Sequence, residues 1–292
     1  MNEMTEITGL QRYPFARRSF VMTSLISGLT LATTRVEAQA IHTDTEGLDA
    51  GEVQIPVQGG NMPAYCARPA KGTSFPIILV NEEIFGVHDY IQDVCRRFAK
   101  LGYLAIAPEI YFRNPDFPKM TDAQQIMREV IFKTPDAEIW SDLDATLAWA
   151  SHNHGDSSRM GEIGFCFGGR NTWEYAAHNP HLKAAVAFYG HIKNPTSDIK
   201  PKTVLDIADQ IHCPLLGLYG GQDPINPVDL VHQAEAKAKG AHKIVEIVIY
   251  PDAPHGFHAD YRPSYREADA KDAWNRALAW FKRYGVAPKG AS

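Results

Sequence analysis

The sequence predicts an α/β fold in which helices cover both faces of a mostly parallel central sheet. Two observations predict it: apolar runs of strand length recur along the chain, and amphipathic segments at helical spacing separate them. Strands that are apolar at every position are typical of parallel sheets covered on both faces. No linker interrupts residues 50–286, so we expect a single domain over residues 41–292.

The individual elements follow from the same patterns. The predicted strands lie within residues 75–86, 103–112, 159–169, 183–190, 214–227 and 243–257. The predicted helices lie within residues 90–102, 121–132, 137–153, 170–179 and 266–285, and the first and last end at a glycine, a common helix stop. Because parallel strands gather their carboxyl ends at one edge of a sheet, we expect the chemistry at that edge.

Composition limits the kind of partner. The chain has 292 residues, 45% of them hydrophobic, which is enough for a sizeable core. Its formal net charge is −5, so it offers no basic surface to nucleic acid. We expect a small-molecule partner and no nucleic acid; the oligomeric state stays open.

The amino-terminal segment resembles a twin-arginine export signal. Arg17 and Arg18 precede a mildly apolar stretch over residues 20–32, and Ala38-Gln39-Ala40 is a small-x-small cleavage pattern. The stretch is too short and too polar to anchor the protein stably in a membrane. We expect residues 1–40 to be removed after passage through the twin-arginine machinery, which leaves a periplasmic protein. A disordered basic tail is the alternative.

Three of the four cysteines are expected to be small buried hydrophobes: Cys66, Cys95 and Cys213. Pairing among them in an oxidising periplasm stays open. The cysteine spacing fits no zinc motif, and the histidine pairs in "SHNHGD" and "PHGFH" lack a third ligand of suitable spacing. We therefore expect no metal and no organic cofactor.

Cys166, Asp223 and His255 are the predicted catalytic triad. Each follows a predicted strand, and their order along the chain is the nucleophile–acid–histidine order of α/β-hydrolases. Asp223 would accept the Nδ1–H of His255, and His255 would take the proton of Cys166. The alternatives are a structural cysteine in a packing turn and an aspartate in an Asp-Pro turn.

The residues around Cys166 support a nucleophilic role. "GFCFG" (164–168) matches the G-x-nucleophile-x-G pattern of a tight strand-to-helix elbow, in which glycines remove clashing side chains. At a helix amino terminus, unpaired N–H groups favour the thiolate. The backbone N–H of Phe167 is expected to stabilise a developing oxyanion.

Five motifs in order resemble the dienelactone hydrolase family of α/β-hydrolases, whose nucleophile is cysteine. The motifs are "NEEIFGV" (81–87), "PEIYFR" (108–113), "GFCFGG" (164–169), "YGGQDPINP" (219–227) and "PHGF" (254–257). The resemblance covers residues 50–284, essentially the whole chain after the export signal.

The resemblance implies three further site residues. Glu83 corresponds to a family glutamate that holds the resting thiol neutral and helps to activate it when an anionic substrate binds. Ile84 corresponds to the second backbone donor of the oxyanion hole, opposite Phe167. Arg113 corresponds to an arginine that contacts the substrate carboxylate. The alternatives are a solvated loop carboxylate for Glu83 and a surface arginine for Arg113.

The sequence also departs from the family pattern. Ala259 stands where a second carboxylate-binding arginine is expected, and Arg262 is a possible substitute. Residues 194–212 resemble an insertion, and the export signal is not expected of the family's cytoplasmic enzymes.

We predict a cysteine hydrolase that cleaves enol lactones or carboxylic esters through a thioester. Three alternatives are a broad periplasmic carboxylesterase, a non-catalytic ligand-binding protein on the same fold, and a protein in which Cys166 is a redox thiol.

Overall fold

The structure is a computed structural model that describes residues 40–289. The predicted export signal lies outside the described residues except for Ala40, so its role stays a prediction. Within residues 40–289, no helix combines the length and the apolar character that crossing a membrane requires.

Eight strands form one sheet, in the order β1-β2-β4-β3-β5-β6-β7-β8. The strands are β1 (Leu48–Val57), β2 (Gly60–Pro69), β3 (Phe75–Asn81), β4 (Leu104–Pro108), β5 (Gly155–Phe165), β6 (Ala184–Phe188), β7 (Leu215–Gly220) and β8 (Val245–Tyr250). Strands β3 to β8 are mutually parallel, and β1 and β2 add an antiparallel hairpin beside β4. The predicted α/β-hydrolase fold with a mostly parallel sheet is confirmed.

Residues 40–289 contain seven α-helices. They are α1 (Asp89–Lys100), α2 (Ala123–Glu129), α3 (Asp136–His152), α4 (Phe167–His178), α5 (Val204–Ile207), α6 (Val228–Gly240) and α7 (Glu267–Arg283). Short 3₁₀ turns span Phe117–Lys119 and Ile131–Lys133.

The sequence patterns missed strands β1 and β2 and helix α6. Strand β1 alternates between exposed and partly buried positions, so it contains no continuous apolar run. Helix α6 buries only Val231, Ala234 and Ala238, a stripe too narrow to give a clear helical period.

Strand register brings the polar loops to one edge of the sheet. Asn81 of β3 is level with Gly164 of β5, and Phe165 is level with Phe188 of β6. Phe188 is in turn level with Leu218 of β7. The loops after these strands therefore begin at similar heights, as expected for chemistry at the carboxyl ends of parallel strands.

Buried charges anchor the insertion-like segment, residues 194–212. The Lys200 ammonium lies 2.6 Å from a carboxylate oxygen of Asp136, and the Arg170 guanidinium donates to both oxygens of the same carboxylate. Both cations lie over the ring of Phe167, at 5.0 and 5.6 Å from its centroid. The segment therefore helps to fix the amino terminus of α4, where Phe167 is the first residue.

The four cysteines are free thiols and all are buried. Burial raises the pKa of Cys66 to about 12 and that of Cys95 well above its ordinary value. The expectation that Cys66, Cys95 and Cys213 are packing residues agrees with this placement.

Candidate active site

Cys166 occupies a strained turn between β5 and α4. Its backbone has φ 56° and ψ −121°, a conformation that residues other than glycine rarely adopt. The neighbouring glycines are required by close backbone contacts. A Cβ on Gly164 would collide with the carbonyl of Gly168, and a Cβ on Gly168 would collide with the carbonyl of Glu82. The turn therefore has the geometry of a nucleophile elbow.

Asp223 and His255 form a hydrogen-bonded pair beside this turn. Nδ1 of His255 lies 2.9 Å from Oδ2 of Asp223. The carboxylate also accepts hydrogen bonds from the Asn226 amide at 2.9 Å and from the backbone N–H of Ile225 at 2.8 Å. With Nδ1 held by Asp223, the other ring nitrogen, Nε2, is buried and has no hydrogen-bond partner among the described residues. Nε2 is thus the atom left to act on the thiol.

Cys166 and His255 stabilise each other's charged forms. Burial disfavours the thiolate, but the charge of His255 and the contact with His191 lower the pKa of Cys166 to about 6. Burial also disfavours the imidazolium, but the charges of Asp223 and Cys166 raise the pKa of His255 to about 10. Near neutral pH the pair is therefore a thiolate and an imidazolium.

His191 is a site residue that sequence reasoning missed. It follows β6, and its Nε2 lies 3.9 Å from the sulfur of Cys166. Its ring also makes edge contacts with Phe167 and His255, with centroids 5.5 and 5.8 Å apart. The sequence contains a signal for this residue. The motif "FYGH" (188–191) places a histidine directly after a predicted strand, and Cys166, Asp223 and His255 also follow predicted strands.

Glu83 lies in a buried ion pair. One of its carboxylate oxygens accepts a hydrogen bond from Tyr261 at 2.6 Å and lies 3.0 Å from the guanidinium of Arg262 and 3.5 Å from His88. Burial alone would raise the pKa of Glu83, but the Arg262 charge and the His88 contact lower it to about 2. Glu83 is therefore ionised, and no hydrogen bond joins it to Cys166 in the described part of the chain.

The two predicted oxyanion donors flank the elbow. Phe167 begins α4 immediately after Cys166, where the first N–H groups of a helix have no intrahelical acceptor. Ile84 lies in the buried loop after β3. The close approach of Gly168 to the carbonyls of Asn81 and Glu82 brings this loop against the elbow. The role of both donors stays a prediction.

Arg113 is paired with a carboxylate on helix α3 and with a backbone carbonyl. Its guanidinium donates to both oxygens of Asp142, at 2.6 and 2.9 Å, and to the carbonyl of Gln58 at 2.6 Å. Among residues 40–289 it forms no hydrogen bond or ion pair with the triad. The contact of Arg113 with a substrate stays a prediction.

His258 is a core residue. Its Nδ1 lies 2.6 Å from the hydroxyl of Tyr90, and its ring packs against Phe165 and Phe188. Burial and the nearby charge of Arg97 lower the pKa of His258 to about 3, so it is neutral. His258 does not join His255 as a metal ligand.

Comparison with known proteins identifies the family. The family model described as "Dienelactone hydrolase family" matches residues 62–285, which is more than half of the chain. The chain belongs to the dienelactone hydrolase family. The resemblance seen in the five sequence motifs is confirmed.

Relatives of this dienelactone hydrolase family member include proteins provisionally named carboxymethylenebutenolidase. One from Methylorubrum extorquens is 52% identical over 274 residues, which is 93% of this chain and 94% of the relative. One from Escherichia coli K12 is 48% identical over 89% of this chain and 96% of the relative. A Bradyrhizobium protein provisionally named 2-oxo-3-(5-oxofuran-2-ylidene)propanoate lactonase is 30% identical, over 82% and 96%.

A solved structure agrees with the assignment. A provisionally named dienelactone hydrolase from Klebsiella pneumoniae superposes with a TM-score of 0.79 at 50% identity, over 81% of this chain and 99% of the other. Membership of this family makes the protein a hydrolase that acts on ester or lactone bonds.

That Arg262 takes the place of the arginine missing at Ala259 stays a prediction. Ala259 is fully buried and carries no charge, whereas the Arg262 guanidinium reaches Glu83. Burial disfavours that charge, but Glu83, Tyr261 and the Cys166 thiolate raise the pKa of Arg262 well above its ordinary value. A permanent cation therefore lies in the electrostatic field of the nucleophile.

Proposed function

We propose that this protein hydrolyses enol lactones or carboxylic esters with Cys166 as the nucleophile. The observation that carries the proposal is the Asp223–His255 pair facing a strained, ionised cysteine at the start of a helix. A thiolate in this position is a ready nucleophile, because nearby positive charge stabilises it before substrate arrives.

The acylation half-reaction follows from the ion pair. The Cys166 sulfur attacks the carbonyl carbon, and the carbonyl π electrons move to oxygen as a tetrahedral oxyanion. The backbone N–H groups of Phe167 and Ile84 are the proposed oxyanion donors. When the intermediate collapses, the C–O bond of the leaving group breaks, and the His255 imidazolium donates its proton to that oxygen. Cys166 is left as a thioester.

Deacylation reverses the role of His255. The neutral imidazole now takes a proton from water, which attacks the thioester carbonyl. Asp223 stabilises the imidazolium that forms and holds the ring in the required tautomer. Collapse releases the carboxylic acid and restores the Cys166 thiolate, so no cofactor is consumed.

We favour a substrate that carries a carboxylate near the reacting carbonyl. Arg262 is a buried cation held by Glu83, and a substrate carboxylate would compete with Glu83 for its guanidinium. Arg113 is the other candidate for the carboxylate and would first have to leave Asp142.

Two experiments test whether Cys166 is the nucleophile. Cys166→Ala should abolish turnover of a small activated ester while circular dichroism shows an unchanged fold. In the wild-type protein, rapid acid quenching during turnover should reveal an acyl group on the peptide that contains Cys166. Undiminished turnover by Cys166→Ala would remove the proposal.

A substrate panel separates a lactonase from a broad carboxylesterase. Anionic enol lactones and neutral aryl esters are compared by kcat/KM under the same conditions. A higher kcat/KM for the anionic enol lactones would support a lactonase. Equal kcat/KM values for the two classes would favour a broad carboxylesterase.

We propose that residues 1–40 direct export to the periplasm. The support is the paired arginines Arg17 and Arg18 ahead of a short apolar stretch and a small-x-small site. Changing both to lysine should retain the protein in the cytoplasm of its host, with the precursor uncleaved. In the wild type, the processed protein should begin near Ile41, as measured by intact mass.

A further inference from the structure

We propose that Cys166, His191 and His255 form a zinc-binding site, and that zinc bound there inhibits the enzyme reversibly. The sulfur of Cys166 and one ring nitrogen of each histidine all lie within 4.8 Å of one another. Only Cys166 and His255 belong to the triad. His191 turns a two-ligand pair into a three-ligand cluster, which is the number of protein ligands in a zinc site with one open position.

The spacing of the donors suits a tetrahedral ion. With Zn–S near 2.3 Å and Zn–N near 2.0–2.1 Å, tetrahedral angles put a sulfur and a nitrogen donor about 3.5 Å apart. The Cys166 sulfur and Nε2 of His191 are already 3.9 Å apart. No two of the three donors are more than 4.8 Å apart, so a movement of little more than about 1 Å brings even the widest pair to this spacing.

One hydrogen-bond network holds the His255 imidazole and the loop that carries His191. Asp223 accepts from Nδ1 of His255, the arrangement by which carboxylates orient histidine ligands of zinc and direct Nε2 at the metal. Asn226 donates to that carboxylate and to the carbonyl of Tyr189, and it accepts from the N–H of Ile192. The loop that carries His191 is therefore fixed relative to the triad, and the three donors do not have to be assembled from a mobile state.

The donor types select the ion. A thiolate with two imidazoles is a borderline-soft set that suits zinc, whereas magnesium and calcium prefer oxygen ligands. Binding forms one Zn–S and two Zn–N bonds and releases to solvent any protons that the thiol and the two imidazoles carry.

Zinc would inhibit the enzyme because it would bind the two atoms that carry out the reaction, the Cys166 sulfur and Nε2 of His255. Zinc would take the electron pair of the nucleophile and the electron pair of the general base at once. A chelator would return both, so the inhibition is reversible. The three donors have this geometry whatever ester or lactone the enzyme cleaves.

The test measures binding directly. The wild-type protein, freed of metal with a chelator, is titrated with Zn²⁺ by calorimetry and with Co²⁺ by absorption spectroscopy. We expect one ion per chain and, with cobalt, a thiolate-to-metal charge-transfer band together with the intense visible bands of tetrahedral cobalt. The zinc affinity should fall when the pH is lowered, because protons compete with the metal for its ligand atoms.

Three variants decide the assignment. His191→Gln should weaken Zn²⁺ binding at least about 10-fold, since removing a ligand should cost no less than removing an outer-shell partner. Cys166→Ser should abolish the cobalt charge-transfer band. His232→Gln, an exposed control, should leave both measurements unchanged. Wild-type affinity in His191→Gln, or a charge-transfer band in Cys166→Ser, would overturn the proposal, and so would the absence of stoichiometric binding by the wild type. Each outcome is independent of the substrate panel.

Discussion

Replacing His255 with glutamine should raise the pKa of the Cys166 thiol from about 6 to its ordinary value of 9.0 or above. Two opposing effects set the wild-type value. Burial disfavours the thiolate, and the charge of His255 is the largest of the effects that favour it. A fall in pKa from 9.0 to about 6 corresponds to about 4 kcal/mol in favour of the thiolate. Without the imidazolium, burial is opposed mainly by His191.

At neutral pH the ionised fraction of the Cys166 thiol should change by a large amount. A thiol of pKa about 6 is roughly 90% ionised at pH 7, whereas one of pKa 9 is roughly 1% ionised. A thiolate of higher pKa is intrinsically more reactive, which offsets part of the loss in rate. The midpoint of the pH dependence is therefore a better measure than the rate at any one pH.

The assay is alkylation by iodoacetamide across a range of pH, with the modified cysteine identified by peptide mass. Modification should be selective for Cys166, because burial raises the pKa of Cys66, Cys95 and Cys213. The wild-type midpoint should lie near pH 6, and that of His255→Gln at 9 or above. The exposed-site control His232→Gln should match the wild type.

The same values predict the pH range of acylation. Raising the pH through about 6 forms the thiolate, and raising it through about 10 removes the His255 proton that the leaving group needs. The pair titrates together, so kcat/KM should rise and fall near these limits. A wild-type alkylation midpoint near 9, or an unchanged midpoint in His255→Gln, would refute the thiolate–imidazolium description.

Three other perturbations follow from named contacts. Glu83→Gln leaves the Arg262 charge buried without its partner and should lower the free energy of unfolding at pH 7 by about 3–5 kcal/mol. Because the Glu83 carboxylate contributes fully above its unfolded-state pKa of about 4.5 and loses this contribution as the pH falls through about 2, urea titrations should show the difference shrinking below pH 4.5. A difference that does not change with pH would argue against the ion pair. Arg262→Gln should lower kcat/KM for anionic lactones at least about 10-fold more than for neutral esters, and an equal loss for both classes would count against carboxylate recognition. Arg113→Gln is run in parallel to decide between the two arginines. Gly168→Ala should lower stability by about 1–3 kcal/mol and reduce kcat, because the new methyl group displaces the loop after β3. Gly240→Ala, where the methyl group meets nothing within 4 Å, is its control, and equal stability of the two variants would contradict the packing argument.

Much of the site could be predicted from the sequence because its members belong to local patterns. The elbow at Cys166 needs glycines at fixed offsets, and both are present in the sequence. Asp223 and His255 follow apolar runs long enough to be buried strands, and the parallel sheet then brings them to one edge. The fold class and the triad are therefore consequences of short-range sequence order.

The tertiary structure alone decided which charges are paired. Glu83 and Arg262 are 179 positions apart (262 − 83) and form an ion pair that no local pattern records. Arg113 follows a strand, as a site residue should, but Asp142 on helix α3 holds its guanidinium.

His191 shows the same division between sequence and structure. Its position after β6 was visible in the sequence, but its 3.9 Å approach to the Cys166 sulfur depends on the loop that Asn226 fixes. Hydrophobic periodicity specifies strands, helices and their order, because it reports burial. It carries no information about which polar side chains meet, because those contacts are set by loop conformations and by distances between residues remote in the chain.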